Sequence, residues 1–171
     1  MEEITVKIIS NYKRDTDIRN LLRYIAGNGK NKEKENVLSL RGRGIAKDYS
    51  KAVEQMIRIQ KLHGKNNKRR CYQIIVSFPE KLNEYKNLII LMANEIAEMI
   101  FDEYGFQVYY GIHTSTGNIH IHFAINAVSY RTGKKWHSSK KEFIDFRNRI
   151  LCCVEMTLKA NDGYKIMNVI L

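Results

Sequence analysis

The chain has 171 residues, the size of one folding domain, with 44% hydrophobic residues, 10% aromatic residues and a single proline. That composition supports a packed core and excludes a disordered chain. The formal net charge is +11, from 29 lysines and arginines against 18 acidic residues, and it points toward a polyanionic partner.

The longest apolar run, 88–93, is far shorter than the roughly 18 residues of a membrane span. The opening segment, with Glu2 and Glu3, lacks a signal peptide's apolar stretch. Cys71, Cys152 and Cys153 make neither a disulfide framework nor a spaced zinc motif. These features lead us to expect a reduced, cytoplasmic protein with no membrane insertion.

In chain order, residues 4–9 read as a strand, and Asp15, Thr16 and Asp17 offer caps for a helix carrying Ile18, Leu21, Leu22 and Ile25 at helical spacing. Gly27, Asn28 and Gly29 stop it. A short strand over 37–40 precedes a flexible turn at 41–44, then a helix over 47–62, a basic loop over 63–70 and a strand over 72–78 closed by Pro79. One long helix spans 82–104, with Gly105 as its stop. Strands over 106–113 and 119–130 flank a polar turn, a second turn at 131–133 leads to a short strand near 135–137, and a last helix runs over 139–159. The expected fold is α+β: a mainly antiparallel sheet covered by helices, in one domain over 1–171.

The charge is segregated. Residues 55–79 and 104–141 contain no carboxylate and carry the whole excess, on Arg58, Lys61, Lys65, Lys68, Arg69 and Arg70 in the first and Arg131, Lys134, Lys135, Lys140 and Lys141 in the second. Nucleic acid is the usual partner of such a face. If the strand near Ile74 pairs with the strand of His120, both basic sets flank one groove. Lys68, Arg69, Arg70, Ser77, Arg131, Lys134 and Lys135 are then candidate DNA contacts. Trp136, Tyr109 and Tyr110 can stack on bases but read more readily as core, and His137 reads as surface.

His113, His120 and His122 supply the chemistry. His120 and His122 share one face of a strand, with Ile119, Ile121 and Phe123 on the other. Pairing position 113 with 120 brings the third imidazole to that face and sets His122 opposite Gly111, whose missing side chain would leave room for a ligand. Three converging imidazoles suit a divalent metal with open coordination positions.

The segment from His113 to His122, with the strand and turn through Lys135, closely resembles the third motif of conjugative relaxases, mobilisation nucleases of the histidine-hydrophobic-histidine superfamily. Leu21, Leu22, Arg23, Tyr24 and Ile25 resemble the first motif, and residues 69–78 the second. Two positions depart from the pattern: Ser115 stands where an aspartate is frequent, and Gln73 where many members have a histidine.

The resemblance implies a DNA relaxase that nicks one strand at an origin of transfer and forms a 5′-phosphotyrosine link. Tyr24 would be the nucleophile, and His113, His120 and His122 would hold Mn2+ or Mg2+, with Ni2+ or Zn2+ as alternatives. It implies single-stranded or hairpin origin DNA, accessory transfer proteins and a coupling protein as partners of a monomer. Tyr24 lies at the border of the helix's apolar stripe, about 60° from Leu21. The rival readings are a replication initiator or transposase using Tyr164, with Tyr12 a further candidate, a catalytically silent DNA-binding module, and a three-histidine zinc hydrolase, which the charge disfavours.

Overall fold

The computed structural model describes residues 3–29, 36–114, 117–136 and 139–161. Its elements are β1 (Thr5–Tyr12), α1 (Asp15–Ile25), β2 (Val37–Arg43), α2 (Tyr49–Leu62), β3 (Cys71–Ser77), α3 (Lys86–Glu98), β4 (Val108–His113), β5 (His120–Asn126) and α4 (Lys140–Ala160). The strands form one sheet in the order β1-β3-β5-β4-β2, and every neighbouring pair is antiparallel. The α+β architecture expected from the sequence is the one observed.

Alternation along the central strands divides the apolar side chains between two cores. Ile74 and Val76 of β3, Ile121, Phe123 and Ile125 of β5, and Tyr110 and Ile112 of β4 pack with α3 and α4. On the opposite face, Ile18, Leu21, Leu22 and Ile25 of α1 and Ala52, Val53 and Met56 of α2 pack on Cys71, Ala124 and Tyr109. Tyr109 and Tyr110 are fully buried, and Trp136 packs among Tyr72, Phe106, Phe143 and Phe146, so these aromatics are core.

Several boundaries differ from expectation for identifiable reasons. β2 continues through 41–43, because this stretch pairs with Tyr110, Tyr109 and Val108 of β4. Its turn comes at Gly44 (φ +68), packed against the Phe101 ring. The helix expected from 82 begins as α3 at Lys86, after a 3-10 turn over Glu80–Leu82. Asn83 is spent on the β4–β5 connection, donating to the Gly117 carbonyl at 2.7 Å and accepting from the Ile119 amide at 3.3 Å. The end of that helix is a π-helical turn, Met99–Glu103.

β5 stops at Asn126, short of the expected 130. Asn126 is fully buried, and its side chain accepts from Gln60 and from the Val128 amide and donates to Gln107 and the Met56 carbonyl. The strand near 135 is reduced to one bridge between Val128 and Lys135.

The amide of Asn126 thus joins α2, the residue that leads into β4, and β5 through a satisfied polar centre. Asn126→Leu takes one hydrogen bond from each of Gln60 and Gln107, which keep only their bonds to Arg70 and to the Gly44 carbonyl, and each buried polar atom so left unpaired costs about 1–3 kcal/mol. Urea unfolding followed by circular dichroism is expected to show a loss of roughly that size for one or both groups; an unchanged midpoint would contradict the role given to this network.

Candidate active site

α1 positions the tyrosine. At its start the Asp17 carboxylate accepts from the Lys13 and Arg14 amides at 3.0 and 2.9 Å. The Arg14 guanidinium holds that carboxyl down at about 2. At the other end Gly27, at φ +77, takes the left-handed turn that stops the helix, its amide donating to the Tyr24 carbonyl at 2.9 Å. The buried stripe ends at Ile25, so Tyr24 stands half-buried at its edge, on the last turn.

The sheet supplies the histidines in the register read from the sequence: His113 pairs with His120, and Gly111 with His122. The space over Gly111, expected for a ligand, is filled by α1 instead. A Cβ there would lie 2.5 Å from the Ile25 carbonyl oxygen. That carbonyl, one of those the helix end leaves unpaired, accepts from Nε2 of His113 at 2.9 Å. Because a carbonyl only accepts, Nε2 is the nitrogen that donates, and it carries a proton.

Tyr24 meets two imidazoles edge-on, at 5.2 Å and 65° from His113 and 5.3 Å and 85° from His122. The His113 and His122 centroids are 4.6 Å apart, and those of His120 and His122 are 6.1 Å apart. Two imidazoles on one ion, with metal–nitrogen bonds near 2.1 Å, put their centroids about 4.5–5.3 Å apart. His113 and His122 meet that separation, whereas His120, half-buried at the first position of β5, stands wide of it. Among the described residues no three histidine, cysteine or carboxylate side chains close on one point.

The donor chemistry nevertheless suits a divalent ion of the imidazole-binding kind. Burial, with His113 and His120 beside it, pushes His122 down to about 3, and burial also lowers His120, which favours neutral rings. Behind His122, the Gln73 amide nitrogen donates to Nδ1 at 3.2 Å, and the Gln73 oxygen accepts from the Tyr12 hydroxyl at 2.5 Å.

The basic residues are arranged differently from the single groove expected. The two stretches do meet: Lys135 donates to the Asn67 carbonyl, and its pKa is lowered by partial burial and by Arg70, Lys68, Arg69 and Lys65 nearby. This rim lies where Cys71 pairs with Asn126, while the histidines lie where Ser77 pairs with His120. Six residues of strand separate the two, about 20 Å.

Arg70, a candidate DNA contact, is interior. It is 4% exposed, pairs with Asp15 at 2.5 Å and donates to Gln60, so it ties the start of α1 to α2. Arg69 lies over the Tyr72 ring, and Lys68 and Lys134 are exposed. Arg131 lies over Tyr130, 4.0 Å from Asp102. Ser77 is buried next to His120. Ser115, His137 and Tyr164 lie outside the described residues.

Lys7 was not apparent from the sequence. It pairs with Ile75, which pairs with His122, so all three share one row and one face of the sheet. Lys7 is exposed. It lies in the charge-balanced part of the chain, and only the register reveals its place.

The family model for the relaxase nuclease domain of the MobA/VirD2-like type matches residues 24–159. Proteins of Staphylococcus aureus described as Protein rlx are 33% identical over 101 residues and 35% over 109, covering 56% and 61% of this chain. The matched regions are 29% and 32% of those proteins, so the chain spans about a third of the length of these relatives. A solved structure described as the molecular basis of vancomycin resistance transfer in Staphylococcus aureus superposes with a TM-score of 0.65 at 14% identity, over 93% of this chain and 94% of that one. At that identity the likeness is one of fold.

The close approach over Gly111 is testable without substrate. Gly111→Ala sets a methyl group against backbone, and overpacking of this kind costs about 1–3 kcal/mol. Urea denaturation is expected to show that loss, and an unaltered midpoint would mean α1 does not depend on the missing side chain.

Proposed function

Because the chain belongs to the MobA/VirD2-like relaxase family, we propose that it nicks one DNA strand at an origin of transfer, with Tyr24 as the nucleophile. The observation that carries this reading is the Tyr24 ring set edge-on against both His113 and His122. The Tyr24 oxygen forms a bond to the scissile phosphorus, the bond from phosphorus to the 3′ oxygen breaks, and the 3′ hydroxyl leaves with a proton. The product is a 5′-phosphotyrosine. A phenol, with a pKa near 10, is a good enough leaving group for the exchange to run backward and rejoin the strand.

His113, His120 and His122 are the residues that would hold a divalent ion, Mn2+ or Mg2+ with Ni2+ or Zn2+ as alternatives, which when bound withdraws charge from the non-bridging phosphate oxygens. Tyr12 is the weaker nucleophile candidate. Its hydroxyl donates to Gln73, and burial pushes its pKa up to about 12. The DNA would leave the histidines past Lys7 and Ser77, and reach the rim of Lys68, Arg69, Arg131, Lys134 and Lys135 about 20 Å away. The same reading treats residues 1–171 as one catalytic unit, acting in the cytoplasm with accessory transfer and coupling proteins on origin DNA of a plasmid or integrative element.

Tyr24→Phe removes only the hydroxyl. With labelled single-stranded origin DNA and Mn2+, denaturing electrophoresis is expected to show a covalent adduct for the unaltered chain and none for the variant, with DNA affinity kept. An adduct persisting in the variant moves the nucleophile elsewhere. DNA binding with no adduct from the unaltered chain favours the silent module.

Charge gives an independent measurement. For single strands, log affinity falls by about 0.7 per phosphate contact on a log-salt axis. Changing Lys68, Arg69 and Lys135 together to Gln is expected to flatten the slope by about 2 in fluorescence anisotropy. The same change at Lys51, Lys86 and Lys159, one on each of α2, α3 and α4, should do much less; equal effects would dissolve the rim as a DNA contact.

A further inference from the structure

We propose that Gln73 and Tyr12 are positioning residues for His122: the Gln73 carboxamide decides which ring nitrogen of His122 carries the proton, and the Tyr12 hydroxyl holds the carboxamide. This rests on the reading of His122 as a metal ligand and goes beyond it to two residues that touch neither the ion nor the DNA.

The placement of Tyr12 depends on an irregularity in β1. Ile9 pairs with Gln73, but Cys71, two residues on, pairs with Tyr12 where a regular strand would offer residue 11. The extra residue is a bulge, which re-aims the side chains beyond it. Without it Tyr12 would point to the α3–α4 face. With it, Tyr12 shares the face of Cys71 and Gln73, and its hydroxyl reaches the Gln73 oxygen at 2.5 Å.

The hydrogen bonds then run in one direction. A carboxamide oxygen only accepts, and its nitrogen only donates. Tyr12 donates to Oε1, which leaves the amide nitrogen facing His122, where it donates to Nδ1 at 3.2 Å. Nδ1 is therefore the accepting nitrogen, and the one proton of the neutral ring sits on Nε2. A ring in this tautomer has no lone pair to offer from Nε2.

To lend Nε2 to a cation, His122 must carry its proton on Nδ1, exchanging it through solvent. The carboxamide must then turn over, so that Oε1 accepts from Nδ1 and the amide nitrogen donates to the Tyr12 oxygen. A phenol hydroxyl both donates and accepts but donates the stronger bond, so Tyr12 favours the first orientation in the metal-free protein and still partners the second, and no group is left without a partner in either. The relay thus lets one buried ring change roles without an unsatisfied polar atom. Glutamine, unlike a carboxylate, can do this because its two ends differ.

The test uses the full chain, with Zn2+ alone as the probe. Loss of an outer partner of a ligating histidine typically costs 10–100-fold in metal affinity. Calorimetry is expected to show a loss in that range for Gln73→Leu, whereas Gln73→Glu, which keeps an acceptor toward Nδ1, binds at least as tightly as the unaltered chain. In the metal-free protein, 15N NMR of the His122 ring should place the proton on Nε2 in the unaltered chain, on Nδ1 in Gln73→Glu, and on both in Tyr12→Phe. Equal Zn2+ affinity in Gln73→Leu, no Zn2+ binding by the unaltered chain, or one tautomer in all three proteins overturns the proposal. Should the affinities and tautomers follow the expected order while no DNA adduct forms at Tyr24, the relay stands and the nicking reading fails. An adduct at Tyr24 without that order is the reverse.

Discussion

The last turn of α1 rests directly on β4 because position 111 has no side chain, and the site is built on that contact. The Ile25 carbonyl would collide with any Cβ at 111, and in the space so gained it accepts a hydrogen bond from His113. One contact therefore fixes three things: the depth of the helix, the nitrogen through which His113 donates, and the position of Tyr24, one residue before Ile25. A carbonyl at a helix end attracts a proton-bearing nitrogen, so the bond serves helix and histidine together. Were α1 to ride higher, Tyr24 would lose its edge-on approach to both rings.

The rest of the fold holds α1 in that seat. Its apolar stripe is buried on Cys71, Tyr109 and Ala124. Its first turn is tethered at a distance, by Asp15 to Arg70, and Arg70 in turn to Gln60 of α2. Gln60 joins Asn126 at the end of β5, so a polar chain leads from the start of the tyrosine's helix to the strand that begins with His120 and His122. Both ends of β5 are thereby committed, one to the histidine cluster and one to anchoring, with the basic rim gathered beside the anchoring end.

Much of this was legible in the sequence. The spacing of His113, His120 and His122 around a polar turn determines a register, and the observed pairing is that register. Helix α1, its glycine stop and the border position of Tyr24 follow from period and capping alone. Other features depend on relations between distant residues. Gly111 read as room for a ligand, because nothing in its neighbourhood announces that Ile25 lies above it. Arg70 read as a surface charge, because its partner Asp15 is 55 residues earlier. The β1 bulge that swings Tyr12 onto Gln73, and the row that brings Lys7 level with His122, are facts of strand pairing that a single strand's sequence does not contain.

The central claim is that this seating makes Tyr24, and no other phenol, the group that takes the phosphate. Peptide mapping of the trapped protein–DNA complex tests it most directly. After nuclease trimming and trypsin digestion, tandem mass spectrometry is expected to find the nucleotide mass on the peptide covering 24–30, localised to Tyr24. The same mass on the peptide that carries Tyr12, or on one that carries Tyr164, would contradict the account.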